Sequence, residues 1–188
     1  MKAIYLNLES RTDRKRRAEK NFKEVGLTVE RFPAVVHESP HHSFIQSQKA
    51  ILQSITDNTI VFEDDVQFMN MAKWDKVIES IPEDFDLAYL GGNPQRELTN
   101  KVNEYWWRAL DVWTTHSVVY SKKGAEKILT MFEDDEMYDN WLGRLGLYQL
   151  NGYICKPFLC TQYPSYSDIW QHNVDYLAII EGGQNKLV

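Results

Sequence analysis

The sequence is poor in residues that cross-link or anchor a chain. Its two cysteines, Cys155 and Cys160, are too few for a disulfide framework, and their spacing is not that of a zinc site. No stretch approaches the roughly 20 consecutive apolar residues that span a bilayer. The N-terminal MKAIYLNLES turns charged too soon for a secretory signal. We therefore expect no transmembrane segment and a protein of the reducing cytoplasm.

An excess of positive charge is also missing. The 188 residues carry 21 Lys and Arg against 27 Asp and Glu, which gives a net charge of −6 at pH 7. This balance argues against a nucleic-acid groove as the main surface, although five basic residues lie between positions 11 and 17. Without repeats, low-complexity segments or linkers, residues 1–188 are expected to form one domain.

Short apolar segments alternate with amphipathic ones along the first half of the chain. Strands are predicted over 2–8, 28–36, 59–62 and 86–90, and helices over 12–25, 43–55 and 71–81. Pro33 suggests that the second strand is an edge strand or ends there. Strands that alternate with helices indicate a largely parallel α/β sheet.

The second half is less regular. Paired strands are predicted over 108–113 and 117–120, helices over 122–132 and 139–150, and a strand over 153–161. The polar segment 93–107 is long for a connection and is a candidate active-site loop. Residues 133–136 are all acidic and are expected in a solvated loop. We expect the tail, 162–188, to lie over the site or a sheet edge.

Three adjacent carboxylates, Glu63, Asp64 and Asp65, follow the apolar strand that starts at Thr59. Ligands of open α/β sheets bind just past the carboxyl ends of the strands, so this cluster predicts a polar site. Side chains alternate along a strand, and Glu63 and Asp65 are therefore expected to point one way and Asp64 the other. Two carboxylates on one side suit a hard divalent cation that keeps positions open for substrate phosphates. A solvated acidic loop is the alternative.

The order of the segments resembles glycosyltransferase family 25, which includes lipooligosaccharide and collagen galactosyltransferases. The resemblance extends over almost the whole chain, and no single segment carries it alone. The matching segments are Ile4–Leu8 with Arg11 and Arg14, Glu30–Val35, Phe62–Val66, Phe85–Gly92, Thr115–Ser117, Ser121–Leu129, Asp139–Leu142 and Ser167–Ile169. The resemblance implies a GT-A type fold, a metal-assisted nucleotide-sugar donor and inversion at the anomeric carbon.

The same resemblance implies a metal site at the acidic cluster. Glu63-Asp64-Asp65 would be the counterpart of the DxD motif. Asp65 would hold Mn²⁺ or Mg²⁺ against the donor diphosphate, and Glu63 or Asp64 would contact the ribose or a bridging water. His172 could reach the metal or diphosphate from the tail, with a surface histidine as the alternative. Chemically, a cation would stabilise the charge of the departing nucleoside diphosphate.

Five further residues are candidates for binding the donor, which we expect to be UDP-galactose or UDP-glucose. Asn7 and Arg11 follow the first strand, where Arg11 suits a phosphate or belongs to the solvated face of a basic helix. Gly91 and Gly92 would let a sugar approach the backbone, or a tight turn requires them. His116 could contact donor or acceptor, or be a hydrogen-bonded core histidine.

Asp139 is the candidate general base, which an inverting transfer needs to take the proton of the acceptor hydroxyl. Its alternative role is that of an N-cap aspartate. Trp106 and Trp107 end the 93–107 segment and are candidates for stacking on a sugar. The alternative is that these two residues, like Trp113, Trp141 and Trp170, pack in the core.

Two departures from the family pattern lie in segments expected near the donor. Gln48 stands where members usually have a histidine, and Val36-His37 stands where they usually have Asp-Gly. They bear on the identity of the sugar or nucleotide, and on whether the protein is active. A metal-dependent phosphoester hydrolase and a catalytically silent sugar-binding module therefore remain alternatives. The acceptor is expected to be a hydroxyl of a glycan or a protein.

Overall fold

The computed structural model describes residues 1–134, 136–169 and 171–188, so Asp135 in the predicted acidic loop and the candidate core residue Trp170 lie outside the described residues. The strands are β1 Lys2–Asn7, β2 Glu30–Pro33, β3 Thr59–Glu63, β4 Val66–Phe68, β5 Leu87–Tyr89, β6 Asn93–Pro94, β7 Trp106–Arg108, β8 Val112–Trp113, β9 Ser117–Tyr120, β10 Gly152–Cys155, β11 Cys160–Gln162, β12 Ser165–Ser167 and β13 His172–Val174. The helices are α1 Thr12–Glu24, α2 Pro40–Ser54, α3 Trp74–Glu79, α4 Lys122–Met131, α5 Tyr138–Arg144 and α6 Leu177–Gly183. Short 3₁₀ helices cover Met71–Lys73, Gly146–Tyr148 and Gln184–Lys186.

Within the described residues, the central sheet has seven strands in the order β2-β1-β3-β9-β5-β10-β7. Strands β1, β2 and β3 are parallel, and β10 is parallel to β5. The antiparallel strands are β9, which lies between β3 and β5, and β7, which pairs with β10 at one edge. The predicted α/β sheet of mostly parallel strands is thus confirmed, and β2 is an edge strand as Pro33 suggested.

The predicted pairing of 108–113 with 117–120 is wrong. Strand β9 pairs with β3 and β5 in the middle of the sheet, while β8 pairs with β6 in a separate two-stranded ribbon. All four residues of β9 are buried, because helices cover both faces of the sheet at this point. A strand that is buried on both faces belongs in the interior of a sheet rather than in a surface hairpin.

The alternation of side chains along the strands divides the core into two clusters, one on each face of the sheet. On β1, Ile4 and Leu6 pack into one cluster and Tyr5 into the other. Helices α2, α4 and α5 contribute residues to the first cluster, and α1 and α3 contribute to the second. Helices therefore flank the sheet on both faces, and the carboxyl ends of β1 and β3 stay open at its edge.

Local signals set most helix ends. Helix α1 is closed by Gly26 at φ +74°, a conformation that glycine adopts without strain. Helix α2 begins three residues before the predicted start, because Ser39 caps it and Pro40 occupies its first position. The predicted strand over 153–161 is divided into β10, in the central sheet, and β11, which pairs with β4. Of the helices described, none is both long and apolar enough to cross a membrane.

Candidate active site

A cavity of about 380 Å³ opens at the carboxyl ends of β1 and β3. Its floor carries the acidic cluster 63–65, and its walls come from the segment between β2 and α2, the start of α5 and the C-terminal tail. Its volume lies within the range of small-molecule sites, roughly 300 to 1,000 Å³. The tail residues in the lining are Gln162, Tyr163, Ser165, Ser167, Asp168, Ile169, Val174 and Tyr176.

The three carboxylates do not alternate as predicted. Strand β3 ends at Glu63, and Asp64 and Asp65 form the turn that leads into β4, so the alternation of a strand no longer applies. Both aspartates contact Arg14 from α1: its Nη1 lies 2.6 Å from Asp64 Oδ1 and 3.3 Å from Asp65 Oδ2. All three acids line the cavity.

Asn7 holds Asp64 from the end of β1. Its Nδ2 donates to Asp64 Oδ2 at 2.7 Å, and its Oδ1 accepts from Arg31 Nε at 2.9 Å. Burial raises the pKa of Asp64, while Arg14 and the Asn7 hydrogen bond act in the opposite direction. Asn7 is buried and lies outside the cavity lining, so its visible role is to fix the acidic turn rather than to face a ligand.

Asp65 has a second polar neighbour on β11. Gln162 Nε2 donates to Asp65 Oδ1 at 3.2 Å, and the backbone N–H of Tyr163 donates to the Asp65 carbonyl at 2.8 Å. The other amide atom, Gln162 Oε1, is buried without a hydrogen-bond partner among the described residues. Gln162 carries no signal in the sequence, because only the pairing of β11 with β4 brings it beside Asp65.

Glu63 is half-buried at the end of β3 and has no basic partner among the interactions that set its pKa. Burial raises this pKa well above its ordinary value, and repulsion from Asp65 and Asp139 adds to the effect. Thr115 Oγ1 donates to Glu63 Oε1 at 3.1 Å and acts in the opposite direction. Burial and repulsion therefore both favour the neutral form of Glu63 as long as no cation offsets them.

Asp139 lies in the first turn of α5 and lines the same cavity. The N-cap of that helix is Met137, so the alternative role of Asp139 as an N-cap is wrong. Its Oδ1 accepts from the Asn140 backbone N–H at 3.0 Å. Burial raises the pKa of Asp139 above its ordinary value, which leaves it a stronger base than an exposed aspartate.

The turn between β8 and β9 contacts both of these acids. Thr114 lies at φ +69°, an uncommon conformation for a β-branched residue. Its backbone N–H lowers the pKa of Asp139, while its neighbour Thr115 binds Glu63. Strain of this kind clusters at functional sites. This conformation could not be predicted from the sequence, because no residue pattern indicates a threonine with positive φ.

Three arginines hold the segment 163–169, which we call the strap, over the cavity: Arg11 at the N-cap of α1, and Arg14 and Arg17 within that helix. Arg11 forms an ion pair with Asp168. Arg14 Nη2 donates to Ser165 Oγ and to the Tyr166 carbonyl, each at 2.8 Å. The guanidinium of Arg17 lies 4.8 Å from the centre of the Tyr163 ring. The three arginines are spaced by three residues and so share one face of the helix.

Arg11 therefore lies at the cavity rim and is engaged by carboxylates. Besides Asp168 it contacts Asp13, and hydrogen bonds and charge from these two acids raise its pKa against the effect of burial. Arg11 is connected to the cavity by its ion pair with Asp168, because Asp168 belongs to the cavity lining. A phosphate at this point would compete with Asp168 for the guanidinium.

Gly91, Gly92 and His116 lie outside the cavity lining, as Asn7 and Arg11 do. A Cβ atom on Gly91 would lie 2.0 Å from the Cys160 carbonyl oxygen, and one on Gly92 would lie 2.7 Å from Val112 Cγ1. Close packing therefore explains both glycines without a ligand. His116 is fully buried, and burial lowers its pKa to about 4, so it is a neutral core histidine at pH 7.

The predicted metal ligands are not brought together as a set. His172 is exposed on β13 and lies outside the cavity lining. In residues 1–134, 136–169 and 171–188, no group of three or more His, Cys, Asp or Glu is arranged to hold a metal ion. Of the predicted ligands, Glu63 and Asp65 line the cavity floor.

The residues present nevertheless fit a cation that takes the rest of its ligands from a substrate. Mg²⁺ and similar ions often bind through one or two carboxylates plus phosphate oxygens. Around Asp65 the cavity offers the carboxyl oxygens of the acidic cluster and the unpaired buried oxygen of Gln162. These are the features that a hard cation requires.

The aromatic candidates for sugar stacking and the 93–107 segment lie elsewhere. Trp106 Nε1 donates to the Val77 carbonyl and Trp107 Nε1 to the Val188 carbonyl, and both rings are buried in the core. In the described structure, none of residues 93–107 lines the cavity, so the predicted active-site loop is wrong. The segment instead forms β6 and the approach to β7.

Both departures from the family pattern are close to the cavity. Val36 and His37 belong to its lining, together with Ser43, Phe44 and Ser47 of α2. Gln48, one position further along α2, is buried beneath them, and its Oε1 has no hydrogen-bond partner in the described structure. The departures therefore alter the wall that faces the acidic floor.

Comparisons with known proteins leave the family open and identify the fold. No protein-family model matches the sequence, and no curated protein matches it significantly. A crystal structure of a glycosyltransferase involved in the glycosylation of the major capsid of PBCV-1 matches with a TM-score of 0.53 at 10% identity, over 82% of this chain and 81% of that one.

Two further structures are more distant. The inositol-1-phosphate CTP transferase from T. maritima matches with a TM-score of 0.47 at 17% identity, over 87% of this chain and 70% of that one. HddC from Yersinia pseudotuberculosis matches with a TM-score of 0.45 at 14% identity, over 82% and 69%. The architecture and the PBCV-1 match together show that the chain has a GT-A type fold.

Proposed function

We propose that the protein is an inverting, metal-dependent glycosyltransferase of the family 25 type. It would move a hexose from UDP-galactose or UDP-glucose to a hydroxyl group of a glycan or a protein. The observation that carries the proposal is the cavity itself: Asp65, Glu63 and Asp139 face one space at the carboxyl ends of β1 and β3. The solved structure with the same fold is a glycosyltransferase, which supports the same class here.

Asp65 would hold a Mn²⁺ or Mg²⁺ ion, with Glu63 and Gln162 beside it. When bound, the ion would neutralise the nucleoside diphosphate as it departs. Arg11 at the rim is the residue suited to a phosphate oxygen, because a guanidinium can bind it through two parallel hydrogen bonds. Asn7 and Asp64 would not contact the donor but would keep the acidic turn in place through their hydrogen bond.

Asp139 would be the general base. The acceptor oxygen attacks the anomeric carbon on the side opposite the diphosphate, and its proton passes to the Asp139 carboxylate. The bond from the anomeric carbon to the diphosphate breaks, and the nucleotide leaves with that electron pair. The raised pKa of Asp139 suits this role, since a base works best with a pKa nearer the operating pH.

Release of nucleotide from a panel of sugar nucleotides, in Mn²⁺ and in EDTA, tests the proposal. Many transferases hydrolyse their donor slowly, so metal-dependent UDP release from one sugar nucleotide is expected without an acceptor. Release that persists in EDTA would contradict the role of the metal. Hydrolysis of simple phosphoesters in place of sugar nucleotides would favour a hydrolase, and metal-dependent donor binding without turnover would favour a silent sugar-binding module.

Asp139→Asn is expected to slow transfer by about 10²- to 10⁴-fold, the usual contribution of a general base. Donor binding should stay the same, because the amide keeps the size of the side chain and the cation site is unchanged. The measurement is kcat and KM for transfer, with UDP affinity as the control. Transfer at the wild-type rate would remove Asp139 from the proposed role.

A further inference from the structure

Arg14 is the cation that the acidic turn already contains. One guanidinium nitrogen contacts both Asp64 and Asp65, at 2.6 and 3.3 Å, and the arginine side chain is only 11% exposed. Arg14 thus places a positive charge beside Asp65, the residue proposed to bind a divalent cation.

The other end of the same guanidinium holds the strap. Nη2 donates to Ser165 Oγ and to the Tyr166 carbonyl, while Nη1 contacts the acids. A guanidinium is planar and rigid, so its two nitrogens move together. Any displacement of Nη1 from Asp65 therefore disturbs the contacts between Arg14 and the strap.

Gln162 is an independent sign that this place receives a ligand. It is 6% exposed, belongs to the cavity lining and donates to Asp65, yet its Oε1 has no hydrogen-bond partner in the described part of the chain. A buried polar atom without a partner is costly. An amide carbonyl oxygen is also a ligand that hard cations accept.

We propose that Arg14 is an internal counter-ion of Asp65 that a divalent cation displaces, so that cation binding loosens the strap. The inference rests on the proposed metal site at Asp65. It adds that Arg14 sets the affinity of this site for the cation and couples cation binding to the position of the strap. In the cation-free protein Arg14 offsets part of the negative charge of Asp64 and Asp65 and holds the strap with the same side chain. With the cation bound, the guanidinium is repelled from Asp65, and Ser165 and Tyr166 lose their donor.

Titration calorimetry of Mn²⁺ into the full chain, without donor, tests the counter-ion. Arg14→Gln is expected to bind Mn²⁺ at least about tenfold more tightly than the wild type, because a positive charge next to the cation is removed. Arg17→Gln is the matched control, since it removes the same charge one turn further along α1, where the arginine contacts the Tyr163 ring. Its affinity should stay within about twofold of the wild type. Arg14→Lys keeps the charge and should also stay close to it.

Hydrogen exchange of the wild-type protein tests the coupling to the strap and does not depend on the folding of any variant. Adding Mn²⁺ is expected to speed exchange in residues 163–169, and Arg14→Gln should show fast exchange there with or without the ion. Unchanged exchange on adding saturating Mn²⁺ would overturn the coupling.

The two proposals fail in different ways. Mn²⁺ binding that Asp65→Asn abolishes but Arg14→Gln leaves unchanged overturns the counter-ion and leaves metal-dependent transfer intact. Binding that tightens in Arg14→Gln while no sugar nucleotide is turned over supports the counter-ion and counts against the transferase. Absence of Mn²⁺ and Mg²⁺ binding in both wild type and Arg14→Gln overturns the counter-ion.

Discussion

His116 illustrates how burial decides what a single residue does. From the sequence, His116 could either contact a ligand or lie in the core, and its neighbours Thr115 and Ser117 did not favour one role over the other. In the structure its side chain is fully buried behind the acidic floor, near the backbone of Cys160. An imidazole in such a place is neutral, because burial penalises its charged form.

This burial predicts a loss of stability in acid. The pKa of His116 is about 4 in the folded protein against an ordinary value of 6.5, so the unfolded chain takes up the proton first as the pH falls. The contribution of His116 to the free energy of unfolding is complete above about pH 6.5 and is lost as the pH falls through 4. The loss amounts to about 3 kcal/mol, at about 1.4 kcal/mol per pKa unit.

Denaturant unfolding of wild type and His116→Gln between pH 7 and pH 4 measures this term. The difference between their free energies of unfolding should shrink as the pH falls, whatever the cost of the substitution at pH 7. Glu63, Asp64 and Asp139 have raised pKa values and act in the opposite sense, but they are common to both proteins and cancel in the difference. A constant difference across this range would contradict the neutral core histidine.

At the scale of elements, helix α4 and strand β5 approach each other unusually closely. Ser121 caps α4 through the Gly124 backbone N–H at 3.0 Å and also donates to the Asp86 carbonyl. The carboxylate of Asp86 accepts from Lys127 Nζ at 2.6 Å and from the Asn151 backbone N–H at 2.8 Å. Asp86 thus fastens the helix to the sheet.

Gly124 is predicted to be essential to that contact. An added Cβ would lie 1.9 Å from the Asp86 carbonyl oxygen, so Gly124→Ala must push α4 away from β5. We expect a loss of about 1 to 3 kcal/mol in the free energy of unfolding, as for other overpacked core sites. Urea denaturation measures it.

Gly182→Ala in α6 is the matched control. No atom of the described residues lies within 4 Å of an added Cβ there, and alanine favours a helix over glycine. This variant should be unchanged or more stable by up to about 1 kcal/mol. Equal effects of the two alanines would show that glycine propensity, rather than the close approach to Asp86, decides the stability.

At the scale of the whole molecule, ligand binding and folding are linked through the cavity, whose walls come from the two ends of the chain. A ligand at about 100 times its Kd stabilises the folded state by about 2.7 kcal/mol. For a domain of this size that corresponds to a rise in Tm of roughly 5 to 10 °C. UDP with Mn²⁺ is expected to give such a rise in the wild type and in Asp139→Asn.

Asp65→Asn should fold normally but show little of this rise, because the proposed cation has lost its acidic ligand. A thermal shift assay with UDP alone, Mn²⁺ alone and both together separates the contributions. The same rise in Asp65→Asn as in the wild type would contradict the place of Asp65 in the site.

Local signals in the sequence determined much of this protein. The start of α1 after β1, its stop at Gly26, the edge position of β2 and the acidic cluster at the end of β3 all follow from neighbours in the chain. These features depend on side-chain alternation, capping and backbone freedom, which act over a few residues. A largely parallel α/β sheet and a polar site after β3 were therefore predictable, whereas the GT-A type fold was expected from the resemblance in segment order.

Only the tertiary structure decided which residues share the site. Arg14 meets Asp64 across 50 positions, and Gln162 meets Asp65 across 97. Strand β9 lies between β3 and β5, and His116, which precedes it, is therefore buried. Trp106 and Trp107 are also buried, and they pack in the core instead of facing the cavity. Such contacts depend on strand order and long-range packing, and no local pattern encodes them, because the energy that selects them is shared among residues far apart in the chain.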